Sequence, residues 1–298
     1  MVPIFWTSKY SQLQSSSAFF FGTTFDSQPL QAQSEEMLRS WLVLDGSGPN
    51  FRSPCRATFG GLWTRNNNCS SNEVDTIYGH LVASQRSQDT YIYLPPIGMA
   101  PFFVPLQLSV LKEHGFRIAY SDLNFHIYPR DWAPKLMSRG NQKKLGQWNR
   151  AGGRIFQSGI SELATIYEVI RKNRLRLGVE PSISLENLTK LCEQFPDSYF
   201  LFTGKIKDAI AVVAVVVDVS PESLYVFFWA DEIEFRNFSP VVAMCTELVN
   251  WSQTRGKTRL DLGIASQGGV INHGLATFKR NLGAIEETKP MMHYSMVR

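Results

Sequence analysis

Between Leu224 and Gly283 the apolar positions change period twice. LYVFFWA, from Leu224 to Ala230, is an aromatic and β-branched run of strand length, and a charged loop follows it. Val241, Val242, Met244, Cys245, Leu248 and Val249 then recur at helical spacing, which predicts a helix with one side against a sheet. Ser239 suits its N-cap, Pro240 its first turn and Gly256 a left-handed end. A short strand ending at Asp261 and a second helix complete the stretch. Strand, helix, strand in this order implies a crossover between neighbouring strands.

The same order occurs earlier. Thr90–Leu94 reads as a strand, Pro95–Pro101 as a proline-rich loop, Phe103–His114 as a helix stopped by Gly115, and Phe116–Asp122 as a strand ending in aspartate. Duplication of one design and chance recurrence of a common unit both account for this repeat. Elsewhere, Leu38–Leu44 and Arg56–Trp63 predict strands, Asn66–Ser71 a loop, and Asn72–Ser84 a helix whose Val74, Ile77, Tyr78 and Leu81 share a face. Met1–Gln33 is polar around the patch Ala18–Phe21 and suggests at most one edge strand. Ser184 caps a helix running to Gln194, and Tyr199–Lys205, Ala209–Val219 and Leu224–Ala230 form an antiparallel meander. The expected fold class is therefore α/β with mixed sheets, in two domains over residues 1–155 and 156–298.

Composition narrows the classes. A chain of 298 residues can bury a real core, and a formal charge of +4 is too mild to argue nucleic-acid binding while permitting a local anion site. Cys55, Cys69, Cys192 and Cys245 lie far apart, which disfavours a zinc site and a disulfide framework and fits reduced thiols in a cytoplasm. MVPIFWTSKYSQ carries no basic region followed by an apolar run, so neither signal peptide nor anchor is expected. Ala209–Val219 is too short to span a bilayer as a helix. Oligomeric state leaves no mark on the sequence. From Trp132 to Ser161 there is no acidic residue, while Lys135, Arg139, Lys143, Lys144, Arg150 and Arg154 are basic. That run is either a solvated helix face or a cationic wall for a polyanion.

Taken in order, FRSPCRATFGGLW, KLMSRGNQKKLGQWNRAGG, YEVIRKNRLRLGVEP, LYVFFWADE, FSPVVAMCTELVNWSQTRG, LDLGIAS and NHGLATFKRNLGA resemble the tandem-GNAT proteins of the Fem-like group, from about Phe51 onward. The resemblance implies two GNAT-type acyltransferase folds side by side. Characterised Fem-type members move an aminoacyl group from aminoacyl-tRNA to an amine on a peptidoglycan precursor, and other GNAT proteins use acyl-CoA. Two features depart from those patterns: RNFSPVV has no glycine where acetyl-CoA users have a glycine-rich pyrophosphate loop, and no heptad segment supplies a coiled-coil arm.

The resulting expectation is an N-acyltransferase that passes an acyl or aminoacyl group directly to an amine in the interdomain cleft. No cofactor is expected to bind tightly, and acyl-CoA or aminoacyl-tRNA would be the donor substrate. The acceptor would be a small molecule or cell-wall precursor, with tRNA a further candidate partner. No G-x-S-x-G elbow and no cysteine beside a histidine argues for a covalent intermediate. Lys279 of the FK motif, Asp261 and His273 are the candidate catalytic groups, as donor-neutralising cation, amine-orienting carboxylate and proton carrier. The helix start at Phe238, Ser239, Val241 and Val242 is the candidate donor-phosphate site, the alternative being an ordinary crossover helix. Arg56, Tyr225, Trp229 and Asn272 are the candidate substrate contacts, and no metal ligands are expected. Two other functions remain open: a noncatalytic CoA- or nucleotide-binding module, and an RNA-binding protein acting through the basic connector.

Overall fold

The computed structural model describes residues 2–26, 28–46, 50–65, 69–84 and 89–295. Part of the expected loop Asn66–Ser71 lies outside the described residues. The chain forms two compact units, each drawn from separated stretches: Met1–Asn124 with Ser266–Ile271 and Glu287–Arg298, and Phe125–Ala265 with Asn272–Glu286. Residue 155, the expected domain boundary, lies within the second unit, in the strand Gly153–Ser158.

In the first unit, strands Pro29–Ala32, Ala18–Thr24, Leu38–Asp45 and Phe51–Ser53 follow one another antiparallel, and Thr90–Tyr93 then runs parallel to Phe51–Ser53. Helices Ser71–Ser84 and Phe103–Glu113 cover one face, where Val74, Ile77, Tyr78 and Leu81 meet Val104, Val110, Leu111 and Ile92. The helical periodicity over Asn72–Ser84 thus identified a core face. Gln107 is the polar group that this core tolerates, because its Oε1 accepts from the Tyr78 hydroxyl and the Leu62 amide, each at 2.7 Å.

Two expectations fail in this unit. The amino-terminal stretch holds a helix, Ser8–Gln14, and two strands, and buried Trp6 and Trp41 anchor it through indole hydrogen bonds to the Gly61 and Trp6 carbonyls, both 2.9 Å. Segment 56–62 is not a strand. Arg56 takes φ 48° and Gly61 φ 77°, and a Cβ on Gly60 would stand 2.4 Å from the Pro54 nitrogen, so the chain loops tightly where its apolar composition suggested extension.

The second unit is built on the expected meander, with Tyr199–Ile206, Ala209–Asp218 and Ser223–Asp231 antiparallel and Gly153–Ser158 added at the edge. Val212 to Val217 are fully buried. Each such valine contributes about 1.5–3 kcal/mol relative to exposure. Helix Leu185–Gln194 starts where expected, with Ser184 accepting from the Asn187 amide at 3.2 Å. Helix Pro240–Thr254 ends before Gly256, which takes φ 68°. The basic run folds as helix Arg139–Arg150, pinned by Ser138 at its N-cap and by buried Trp148.

Candidate functional site

The chemistry-bearing feature lies in the second unit, where two parallel strands separate. Ser223–Asp231 and Arg259–Ile264 pair at Ser223–Arg259, Leu224–Leu260 and Tyr225–Asp261, and there the ladder stops. Just past that point the first strand carries a bulge. Val216 faces Val226 and Val215 faces Phe228, so Phe227 is extra. A bulge bends its strand and re-aims side chains, and this one brings Tyr225 and Phe228 onto the same face. Past the Tyr225–Asp261 pair, backbone from Val226 to Ala230 and the strand end Leu262–Ile264 are not paired with each other, and this gap in the ladder is the candidate slot.

A buried charge cluster holds that strand end. Asp261, 0 % exposed, accepts from the Arg259 guanidinium at 2.7 Å and from the Gly263 amide at 2.8 Å. Lys279, 2 % exposed, donates to the carbonyls of Leu262, Gly263 and Ile264 at 2.8, 2.9 and 2.9 Å. Its ammonium also lies 5.8 Å from the Phe125 ring centre. Burial pulls Lys279 down to about 7, Asp261 opposing and Arg174 adding to the fall. Gly263 adopts φ 76°, and a Cβ there would meet the Tyr225 ring at 3.5 Å.

The helix start differs from the sequence expectation. Ser239 takes φ 48° and ψ 60°, and its side chain makes no capping bond; the Ser239 carbonyl accepts from Val242 at 2.9 Å. N-cap side chains reach helix amides from extended backbone, which this left-handed residue lacks. Phe238 ends the preceding 3-10 helix, Val241 is half-buried and Val242 buried. Lys144 of the basic helix donates to the Asn237 carbonyl beside this start.

In the sequence Arg174 counts, with Arg171, Lys172 and Arg176, as part of a second basic group and is not singled out. It lies at the end of helix Leu163–Arg176, half-buried, with its guanidinium carbon 5.6 Å from the Phe228 ring centre. It makes no side-chain hydrogen bond or ion pair to another described residue, unlike Arg171 on Glu168 and Arg176 on Asp231. Burial lowers it from the usual arginine range, with Tyr225 close enough to oppose the shift. A desolvated guanidinium lacking a carboxylate is receptive to an oxyanion. In sequence it is one cation in IRKNRLR, and nothing local sets it apart.

The remaining candidates are dispersed. Tyr225 and Trp229 are half-buried, Trp229 packing edge-on against Phe278 with ring centres 6.2 Å apart. Asn272 caps helix His273–Asn281, its Oδ1 accepting from Leu275 at 3.0 Å, and His273 is exposed at the first position. Arg56 belongs to the first unit, where its side chain is exposed and its carbonyl accepts from the Tyr10 hydroxyl at 3.3 Å. Burial is the main cause pushing the thiols of Cys55, Cys69, Cys192 and Cys245 up to about 12, which makes each a poor nucleophile. Among the described residues no group of three or more His, Cys, Asp or Glu is placed to hold a metal, and no helix is long and apolar enough to cross a membrane.

No protein-family model and no curated protein sequence matches the chain. Solved structures do. FemX superposes with a TM-score of 0.68 at 13% identity, over 97% of this chain and 91% of that one. The C-terminal domain of a putative lysylphosphatidylglycerol synthetase from Agrobacterium fabrum gives 0.61 at 10%, over 97% and 88%. A tandem GNAT protein from the clavulanic acid biosynthesis pathway gives 0.50 at 10%, over 96% and 86%. At these identities the likeness is one of fold alone: a mixed α/β architecture shared with these structures.

Proposed function

We propose that the protein is an N-acyltransferase whose donor lies in the slot of the second unit. The observation that carries this reading is the strand pair that parts after Tyr225 and Asp261, with a bulge beside it. Backbone freed from the ladder can hydrogen-bond an extended acyl arm and the oxygen of its carbonyl, where negative charge develops during transfer. Arg174 would hold an anionic group of donor or acceptor. The amine nitrogen attacks the carbonyl carbon, the bond from that carbon to thioester sulfur or ester oxygen breaks, and the amine proton leaves with the thiol or hydroxyl. Asp261 is already engaged by Arg259, so the carboxylate serves geometry rather than proton transfer. The Fem-like resemblance favours an amine on a cell-wall precursor as acceptor and a cytoplasmic site of action.

Between the donor classes, one feature favours aminoacyl-tRNA. Arg139, Lys143 and Arg150 lie along one exposed face of their helix with no carboxylate paired to them among the described residues, and Lys144 of that helix reaches the start of Pro240–Thr254. Such a stripe suits a phosphate backbone. It also supports the alternative of an RNA-binding protein without transfer.

The test pairs labelled acetyl-CoA or alanyl-tRNA with a nucleotide-linked muropeptide amine. Amine-dependent loss of label from one donor is expected, and Arg174→Ala should weaken it. Binding of donor with no transfer in any pairing would leave the noncatalytic module.

A further inference from the structure

Lys279 occupies the place where sequence reasoning put a cation for the donor, yet its three donors are spent on the carbonyls of Leu262, Gly263 and Ile264. An ammonium has three N–H groups, so none remains for a ligand. The carbonyls belong to consecutive residues, an arrangement that regular strand pairing does not provide because alternate carbonyls of a strand point to opposite sides. The strand end, irregular at Gly263 with φ 76°, is therefore wound around the lysine. From its other side Asp261 Oδ1 takes the Gly263 amide, and its second oxygen takes Arg259. Strand end, carboxylate and lysine form a connected set of charge-assisted hydrogen bonds with its members in the interior.

We infer that Lys279 is a positioning residue of the transfer reaction: a strut that fixes the Leu262–Ile264 wall of the slot and never touches the donor. The inference rests on the acyltransferase reading and deepens it. The stem of Lys279 enters from helix His273–Asn281 and sets how far the Arg259–Ile264 strand end stands from the bulged strand. Without the ammonium the strand end relaxes, and a bound acyl group is held less well for attack. Donor affinity, made elsewhere in the slot, persists.

Lys279→Met removes the charge and keeps the length of the stem, and Lys279→Gln keeps two N–H donors. Three readouts are needed: amide hydrogen exchange of the 259–265 segment, dissociation constants for acetyl-CoA and alanyl-tRNA, and kcat with whichever of the two the wild type uses. Expected for Lys279→Met are at least tenfold faster exchange in 262–264, donor affinity within twofold of wild type, and kcat lower by at least tenfold. Lys279→Gln should recover exchange protection and kcat together, and it carries the test if the Met variant fails to fold. A tenfold loss of donor affinity with exchange unchanged would place Lys279 on the donor and overturn the strut. Faster exchange with unchanged kcat would reduce Lys279 to stability alone and overturn its role in the reaction, as would no change in either. A wild type that transfers from neither donor strikes the acyltransferase reading itself, a result distinct from every pattern above.

Discussion

Each unit contains a strand, a crossover helix and a second strand, and the two differ in what lies between the strands. In the first, Thr90–Tyr93 and Arg117–Ile127 are separated by the strand Ile285–Tyr294, whose Met291 to Tyr294 pair antiparallel with Tyr93 to Thr90. The end of Thr90–Tyr93 is satisfied further, since the Tyr93 carbonyl accepts from Gly60 at 2.8 Å and the Leu94 amide donates to Pro290 at 3.1 Å. In the second, Ser223–Asp231 and Arg259–Ile264 are direct neighbours that pair over three positions and part. One order of elements thus yields a gap filled by protein and a ladder that stays open. Buried backbone must find partners, so on the proposed reading the open ladder is where the donor would pair.

The largest effect should come from the cluster that holds the second slot open. Asp261→Ala leaves Arg259 buried without this carboxylate and frees the Gly263 amide, at a cost of about 3–5 kcal/mol in chemical denaturation. A cost below about 1 kcal/mol would mean the slot keeps its shape by packing alone. Next is the filled slot. Met292 is fully buried in the first core, and Met292→Ala should cost about 2–5 kcal/mol while leaving donor affinity in the second unit unchanged. Loss of donor affinity at constant temperature and full folding would show that the first slot also carries ligand.

The contrast between the slots was not legible in the sequence, although most of the elements were. Periodicity located the helices Ser71–Ser84, Phe103–Glu113, Leu185–Gln194 and Pro240–Thr254, because each buries one face and carries local end signals. The meander was equally plain, its valines being buried on both faces. What fills the first slot is Ile285–Tyr294, a strand far along the chain with the polar start IEETK, and pattern cannot assign its neighbours. Lys279 and Asp261 were found by motif, but their partners are three carbonyls and an arginine, contacts that residue type does not encode. Arg174 stood out from Arg171, Lys172 and Arg176 in no way, because a desolvated arginine and a solvated one read alike.

The buried lysine gives the second unit a pH signature. Burial pulls Lys279 from 10.5 down to about 7 in the folded chain: below about 7 the ammonium keeps its three N–H bonds to the carbonyls, and between about 7 and 10.5 the unfolded chain holds a proton that the folded chain has released, leaving two N–H donors for three carbonyls. Stability contributed by this group therefore rises with pH across the window, by up to about 1.4 kcal/mol per pH unit. Subtracting the unfolding free energy of Lys279→Met from that of wild type at pH 7 and pH 9 isolates the slope. A difference that stays flat would mean the three carbonyls and Asp261 hold the proton in place against burial.

The smallest effect concerns strain. Arg56 in the first unit and Ser239 in the second both take φ 48°, a conformation costly for residues with a Cβ. Glycine at either position should stabilise the fold by about 1 kcal/mol, because neither backbone needs its side chain to hold its shape. The two should separate in binding. Ser239 precedes helix Pro240–Thr254, and its hydroxyl makes no capping bond, so on the proposed reading it would be available to a donor phosphate. Ser239→Gly should then weaken acetyl-CoA or alanyl-tRNA binding by about 0.5–1.5 kcal/mol, the worth of one hydrogen bond, while raising thermal stability. Arg56→Gly should gain the stability and leave donor affinity as it was. Equal behaviour of the two variants in both measurements would detach the strained serine from the slot and leave its backbone as a means of turning the chain from the 3-10 helix Ile233–Phe238 into Pro240–Thr254.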